Sequence, residues 1–165
     1  MNRLSLQDRA KILSCLVEGN SLRSTSRMCD VSINTVTKLL VDVGQACSDF
    51  QYKTLRNLPC TKIQCDEIWS FCYAKEKNVP RDLKGVYGIG DVWTWTAICA
   101  DTKLIASYMV GQRDSKYAHF FAQDLASRLA NRIQLSTDGH KLYVNAVESA
   151  FSGDIDYAML VKLYG

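Results

Sequence analysis

The stretch TKIQCDEIWSFCYAKEKN, residues 61–78, sets two adjacent carboxylates, Asp66 and Glu67, inside an otherwise apolar, β-prone run. Period two puts Ile63, Cys65, Glu67, Trp69, Phe71 and Tyr73 on one face and Gln64, Asp66, Ile68, Ser70 and Cys72 on the other. Neither set is cleanly polar, so the run predicts a central strand, Ile63 to about Tyr73, covered on both sides. A carboxylate on such a strand needs a cation or a hydrogen-bond partner.

The chain around this strand changes character once. Residues 4 to about 56 are helical in pattern and basic, and residues 60 to 138 hold strand-like runs rich in Val, Ile, Thr, Trp and Tyr, followed by more helix. The joint falls in QYKTLRNLPC, which gives an N-terminal domain over 1–56 and a second domain over 57–165. With 165 residues, 47% apolar and 22% charged, the chain has the composition of a globular protein rather than a disordered one. Its net charge of +3 permits a polyanionic partner without requiring one.

Seven cysteines, an odd number without a C-x-x-C pair, accompany two histidines. A zinc site or disulfide framework wants tighter pairs, so reduced thiols packed as small apolar groups in a cytoplasmic protein are expected. No apolar run approaches membrane-spanning length, and MNRLSLQDRAKIL reads as a helix of mixed charge rather than a signal peptide.

Three helices are legible in the first domain. Ser5 with Asp8 forms a capping pair, after which Leu6, Ala10, Leu13, Leu16 and Val17 recur on one face until Gly19. A second helix is capped by Asn20 or Ser21 and runs to Cys29; a third opens at Ser32, with Val31 and Val36 as a hydrophobic staple, and continues toward Cys47. Only Asp30 and Val31 separate the two, and Asp tolerates the left-handed backbone such a turn needs. Small Ser26 permits close approach. The spacing is that of a helix-turn-helix, with Asn34, Thr35, Thr37 and Lys38 presented to base edges and phosphates of double-stranded DNA and Arg23 and Arg27 holding the backbone. An ordinary three-helix packing unit with a solvated polar face is the alternative.

In the second domain, the strand at 63–73 is followed by a loop with Pro80, Gly85, Gly88 and Gly90, then a hairpin of DVWTWTAICA and LIASYMV turning at Asp101-Thr102-Lys103. SKYAHFFAQDLASRLA, residues 115–130, is an amphipathic helix; RIQLSTDGH contains a short strand ending at Asp138; a last helix begins near Lys141. If the first and fourth strands lie parallel side by side, Asp66 and Asp138 converge across a separation of 138 − 66 = 72 residues. Paired acidic oxygens suit Mg²⁺ (or Mn²⁺), and two such ions about 4 Å apart activate a nucleophile and stabilise the leaving oxygen of a phosphodiester.

Four stretches, LVEGNSLRSTSR, VSINTVTKLL, RNLPCTKIQCDEIWSFCYAKEKNVP and LSTDGHKLYVNAVESAFSGDIDYAMLVKLYG, resemble transposases of the insertion-sequence-one family over nearly the whole chain. The resemblance implies a helix-turn-helix that binds the ends of a mobile element, then a ribonuclease-H-like mixed-sheet domain using an Asp-Asp-Glu triad with Mg²⁺. Asp66 matches the first acid of that triad and Asp138 the second. In the family a further strand and helix supply the third carboxylate. Neither is expected here, so the α/β catalytic domain is expected to be incomplete, lacking its C-terminal part and its last strand, and the family's N-terminal cysteine pairs are absent too.

Of the remaining acids, Glu148 and Asp124 are expected as surface helix residues and Glu67 as a neighbour of the site on the opposite strand face. His140 reads as an exposed loop residue. Trp69, Trp93 and Trp95 are candidates for stacking on unpaired bases, but alternation with Thr in a hairpin predicts core packing, and Lys75, Lys77 and Arg81 read as a solvated loop or as phosphate contacts. Three functions follow: an impaired transposase acting on element ends and target DNA, a non-catalytic DNA-binding protein that inhibits the full-length transposase, or a nuclease that manages with two carboxylates, with a homo-oligomer or the full-length transposase as protein partner.

Overall fold

The computed structural model describes residues 4–161. The chain forms two compact units, Met1–Thr54 and Leu55–Gly165, described separately below.

The first unit is α1 (Leu6–Val17), α2 (Leu22–Cys29) and α3 (Ile33–Thr54). Each start is set locally. Ser5 accepts the Asp8 N–H, Ser21 accepts the Ser24 N–H, and Ser32 accepts the Thr35 N–H, so each serine satisfies a backbone donor the helix leaves orphaned. Asp30 ends α2 with φ 53°, and the Ser26 hydroxyl donates to the Val31 carbonyl at 2.6 Å, which fastens the turn.

The core is Ile12, Val36 and Leu39, with Leu13, Leu16, Leu22, Cys29 and Val31 packed around it. The stripe expected on α1 is thereby rotated. Leu6 and Val17 are exposed, because the inward face centres on Ile12. The third helix also runs past Cys47 to Thr54, and its second half exposes Phe50 and Tyr52.

The second unit contains β1 (Lys62–Cys72), β2 (Gly90–Cys99), β3 (Ile105–Gly111), α4 (Ser115–Arg128), β4 (Gln134–Asp138), α5 (Leu142–Phe151) and β5 (Asp156–Leu160). Two short 3₁₀ turns, Glu76–Asn78 and Arg81–Leu83, lie between β1 and β2. The five strands form one mixed sheet in the order β3-β2-β1-β4-β5. The β1–β2 and β2–β3 pairs are antiparallel, with Asp66 opposite Thr96 and Thr96 opposite Tyr108. The β1–β4 and β4–β5 pairs are parallel.

The fifth strand is a correction to the sequence pattern, which ends in a helix after the fourth strand. It is only five residues long and alternates weakly, so its sequence carries little strand signal. Tertiary contacts fix it instead: Arg132 forks onto Asp154 and Asp156 at 3.1 and 2.6 Å, and the Tyr157 hydroxyl meets Thr137 Oγ1 at 2.9 Å.

The expectation of a β1 covered on both faces is also overturned. The core joins Ile63, Cys65, Trp95, Ala97 and Leu135 of the sheet to Phe121, Leu125, Tyr143 and Val147 of α4 and α5. Gln64, Asp66, Ile68 and Ser70, on the other face, are exposed. Asp124, expected at the surface, ties α4 to β3 by accepting from the buried Ser107 hydroxyl while receiving Arg128 Nε at 2.6 Å. No helix among the described residues is long and apolar enough to cross a membrane.

Candidate functional site

The two aspartates singled out in the sequence occupy adjacent central strands. The β1–β4 ladder ends at the pair Gln64 and Ser136. Two residues further along each parallel strand stand Asp66 and Asp138, at the same level of the sheet. Asp66 is exposed, and its Oδ1 accepts the backbone N–H of Glu67 at 2.8 Å. Asp138 closes β4; its Oδ1 accepts the His140 N–H at 3.1 Å, an Asx-type turn that holds the carboxylate at the strand end.

The cation nearest Asp138 is bonded to a different acid. Arg113, just beyond β3, brings Nη2 to 2.9 Å from Glu67 Oε2 and to 3.6 Å from Asp138 Oδ2. Its Nε donates to the same Glu67 oxygen at 2.9 Å, and its guanidinium carbon lies 4.7 Å from the Trp93 ring centroid. The Glu67 side chain is 1% exposed against 44% for Asp138. A carboxylate buried so fully needs its cation, and Arg113 supplies both charge and two donors.

Tyr143 lies against this buried acid on α5. Burial above all, with the nearby carboxylates of Glu67 and Asp138 adding to it, pushes its phenol far above the ordinary tyrosine range. The hydroxyl and Glu67 Oε1 interact but fall short of a formed hydrogen bond, leaving both buried oxygens unsatisfied. His140, expected to be exposed, is half-buried, with its ring 6.4 Å from those of Trp95 and Tyr143 and its Nδ1 accepting the Leu142 N–H.

Among the described residues no group of three or more His, Cys, Asp or Glu side chains is placed to hold a metal ion. Asp66 and Asp138 offer hard oxygens at one level, which fits a single Mg²⁺ that keeps most of its waters. A two-ion clamp needs more carboxylates than stand here. Glu148 is exposed on α5 and joins neither aspartate in a hydrogen bond.

In the helical unit, Arg23, Arg27, Asn34, Thr37 and Lys38 are exposed and Thr35 is half-buried. Thr35 shares a 2.8 Å hydrogen bond with Ser32 and so belongs partly to the cap of α3. Thr37 donates to the Ile33 carbonyl, and Lys38 pairs with Asp42 at 2.9 Å in a water-exposed i,i+4 contact that a phosphate can displace at small cost. Asn34 and the two arginines are the exposed polar groups best free to meet a ligand.

Arg113 escaped the sequence reading because GQRDS carries no periodic or spacing signal; only the fold brings it across β2 to β1. The tryptophans divide. Trp95 is fully buried as expected, whereas Trp69 is 40% exposed and Trp93 half-buried, so core packing holds for one of the three. No protein-family model matches the chain, and no curated protein matches it significantly.

Proposed function

We propose that this chain is a DNA-binding protein related to insertion-sequence-one transposases, with α2 and α3 forming a helix-turn-helix and the five-stranded unit a ribonuclease-H-like domain. The observation that carries the reading is the placement of Asp66 in the centre of β1 and Asp138 at the end of its parallel neighbour β4, within the strand order β3-β2-β1-β4-β5. The tight Asp30 turn and the exposed Arg23, Arg27 and Asn34 support duplex binding at element ends.

In this reading Asp66 and Asp138 hold Mg²⁺ or Mn²⁺, which when bound would activate a water or a 3′-hydroxyl against a phosphodiester. Asp66 contributes an oxygen that already accepts one backbone N–H, and the Asp138 carboxylate is held in aim by the His140 N–H. With two acids at the site among the described residues, strand cleavage and transfer by these residues alone are expected to be weak. One observation favours the non-catalytic alternative, a binder that occupies element ends and inhibits the intact enzyme. Arg113 already lays a positive charge between Glu67 and Asp138.

Calorimetric titration with Mg²⁺ or Mn²⁺, repeated on Asp66→Ala and Asp138→Ala, separates the two. Saturable binding lost in both variants supports the catalytic reading. Absence of metal binding, with duplex affinity that falls in Arg23→Ala and Asn34→Ala, supports the binder, and failure to bind any duplex sinks both.

A further inference from the structure

The far end of β1 carries a second surface that neither aspartate uses. Beyond Glu67 the strand outlasts the core, and Trp69 and Phe71 are 40% and 47% exposed, with ring centroids 5.7 Å apart. The strand then stops abruptly. Tyr73 adopts φ 66°, and the Ala74 N–H donates to the Cys72 carbonyl at 2.8 Å, closing a γ-turn of the rare, positive-φ kind. An aromatic residue resists that backbone, and such local strain concentrates at working sites. The turn delivers Lys75, whose ammonium lies 5.0 Å from the Trp69 ring centroid.

Beside the indole opens a cleft of about 440 Å³ lined by Trp69, Lys75, Glu76, Lys77, Lys84 and Asp91. Its two acids touch the loop that carries them and are outnumbered by the three lysines. Asp91 Oδ1 accepts the Glu76 N–H at 2.9 Å, and the Glu76 carboxylate packs so tightly over Gly90 that a β-carbon there would collide with it. Among the described residues none of the three lysines forms an ion pair.

We propose that this cleft binds single-stranded nucleic acid, with an unpaired base stacking on Trp69 and the adjoining phosphates meeting Lys75, Lys77 and Lys84. A base takes the place of the Lys75 ammonium over the indole, and the ammonium moves to the phosphate beside it. Aromatic faces interleaved with unpaired cations suit a polyanion whose π-faces are open, and a double helix keeps those faces hidden in its stack. Residues two apart on a strand lie about 6.7 Å from each other, so Trp69 and Phe71 can each take one base of a stretched strand, as sheet platforms that bind RNA do. An apolar protein partner would leave three lysines without counter-charge. The proposal rests on no carboxylate or metal of the reading above, and it gives the sheet unit a grip on frayed DNA ends separate from duplex recognition by α3.

The test is binding of fluorescent oligothymidylate, about 12 nucleotides long, to the full chain, beside a duplex of equal length. Trp69→Ala is expected to weaken the single strand about 5- to 150-fold and leave duplex affinity unchanged, with Trp69→Phe restoring most of the loss. Lys77→Gln with Lys84→Gln should lower the salt slope for the single strand by about 1.4. Wild-type protein that fails to bind the oligothymidylate, or a folded Trp69→Ala variant that binds it as wild type does, overturns the proposal. Should Trp69→Ala not fold, an unchanged salt slope in the lysine variant overturns it instead. Retained single-strand binding without duplex binding would sink the transposase reading and leave this one standing.

Discussion

Asp66 and Glu67 are adjacent in the chain and belong to different surfaces of the same sheet. The Glu67 face is roofed by α4 and α5, and there the strand buries Ile63 and Cys65 beside Trp95. The Asp66 face carries Gln64, Ile68 and Ser70 in contact with water. The same functional group therefore meets two kinds of physics. On the roofed face a carboxylate survives only with a cation bonded to it, and on the open face it stays hydrated and free to take up a ligand. Only the exposed acid can act as a hard ligand without first being released from a protein partner.

This contrast is open to direct attack. The largest effect is expected from Trp95→Ala, which removes a fully buried ring from the roofed face and should cost about 3–5 kcal/mol in urea unfolding. All three tryptophans lie in the sheet unit, so the fluorescence of the two that remain reports that unit alone. Arg113→Ala comes next. It strands a buried carboxylate, but Arg113 is one-third exposed and water can enter, so about 2–3 kcal/mol is expected against the ~3–5 of a fully buried pair. Adding Glu67→Gln should recover much of that loss, and no recovery would mean that Arg113 acts by packing on Trp93 rather than by charge.

On the open face, Ile68→Ser should stay within about 0.5 kcal/mol of wild type in urea unfolding. A loss of 2 kcal/mol or more, as expected for burial, would mean that something covers this face. The smallest change belongs to Tyr143→Phe. Its hydroxyl has no formed hydrogen bond and sits beside a carboxylate, so unfolding should be unchanged or slightly harder.

What the sequence disclosed follows from how far each signal travels. Caps and turns act over three or four residues, so Ser5, Ser32 and Asp30 were legible and the second cap was narrowed to Asn20 or Ser21, of which Ser21 is the one used. Alternation along β1 separated Asp66 from Glu67 correctly, yet it could not say which face the helices would roof, because that depends on where α4 and α5 return. Asp124 looked superficial because its partner Ser107 lies on a strand 17 residues away. The β5 strand was hidden for the same reason: its Asp156 and Tyr157 are held by Arg132 and Thr137, about 20 residues earlier in the chain. In the candidate site both aspartates were legible and Arg113 was not.

The central position of β1 also has a consequence in time. Its parallel partner begins with Gln134 opposite Lys62, a separation of 134 − 62 = 72 residues, whereas every helix of the first unit packs against near neighbours. At the ribosome's pace of about 5–20 residues per second, β1 waits roughly 4–14 s for β4. Local helical contacts close in far less time than that. The helical unit is therefore expected to be formed while Trp69 and Phe71 still sit on an unfinished sheet, and pulse-labelling during synthesis should find α1–α3 protected first.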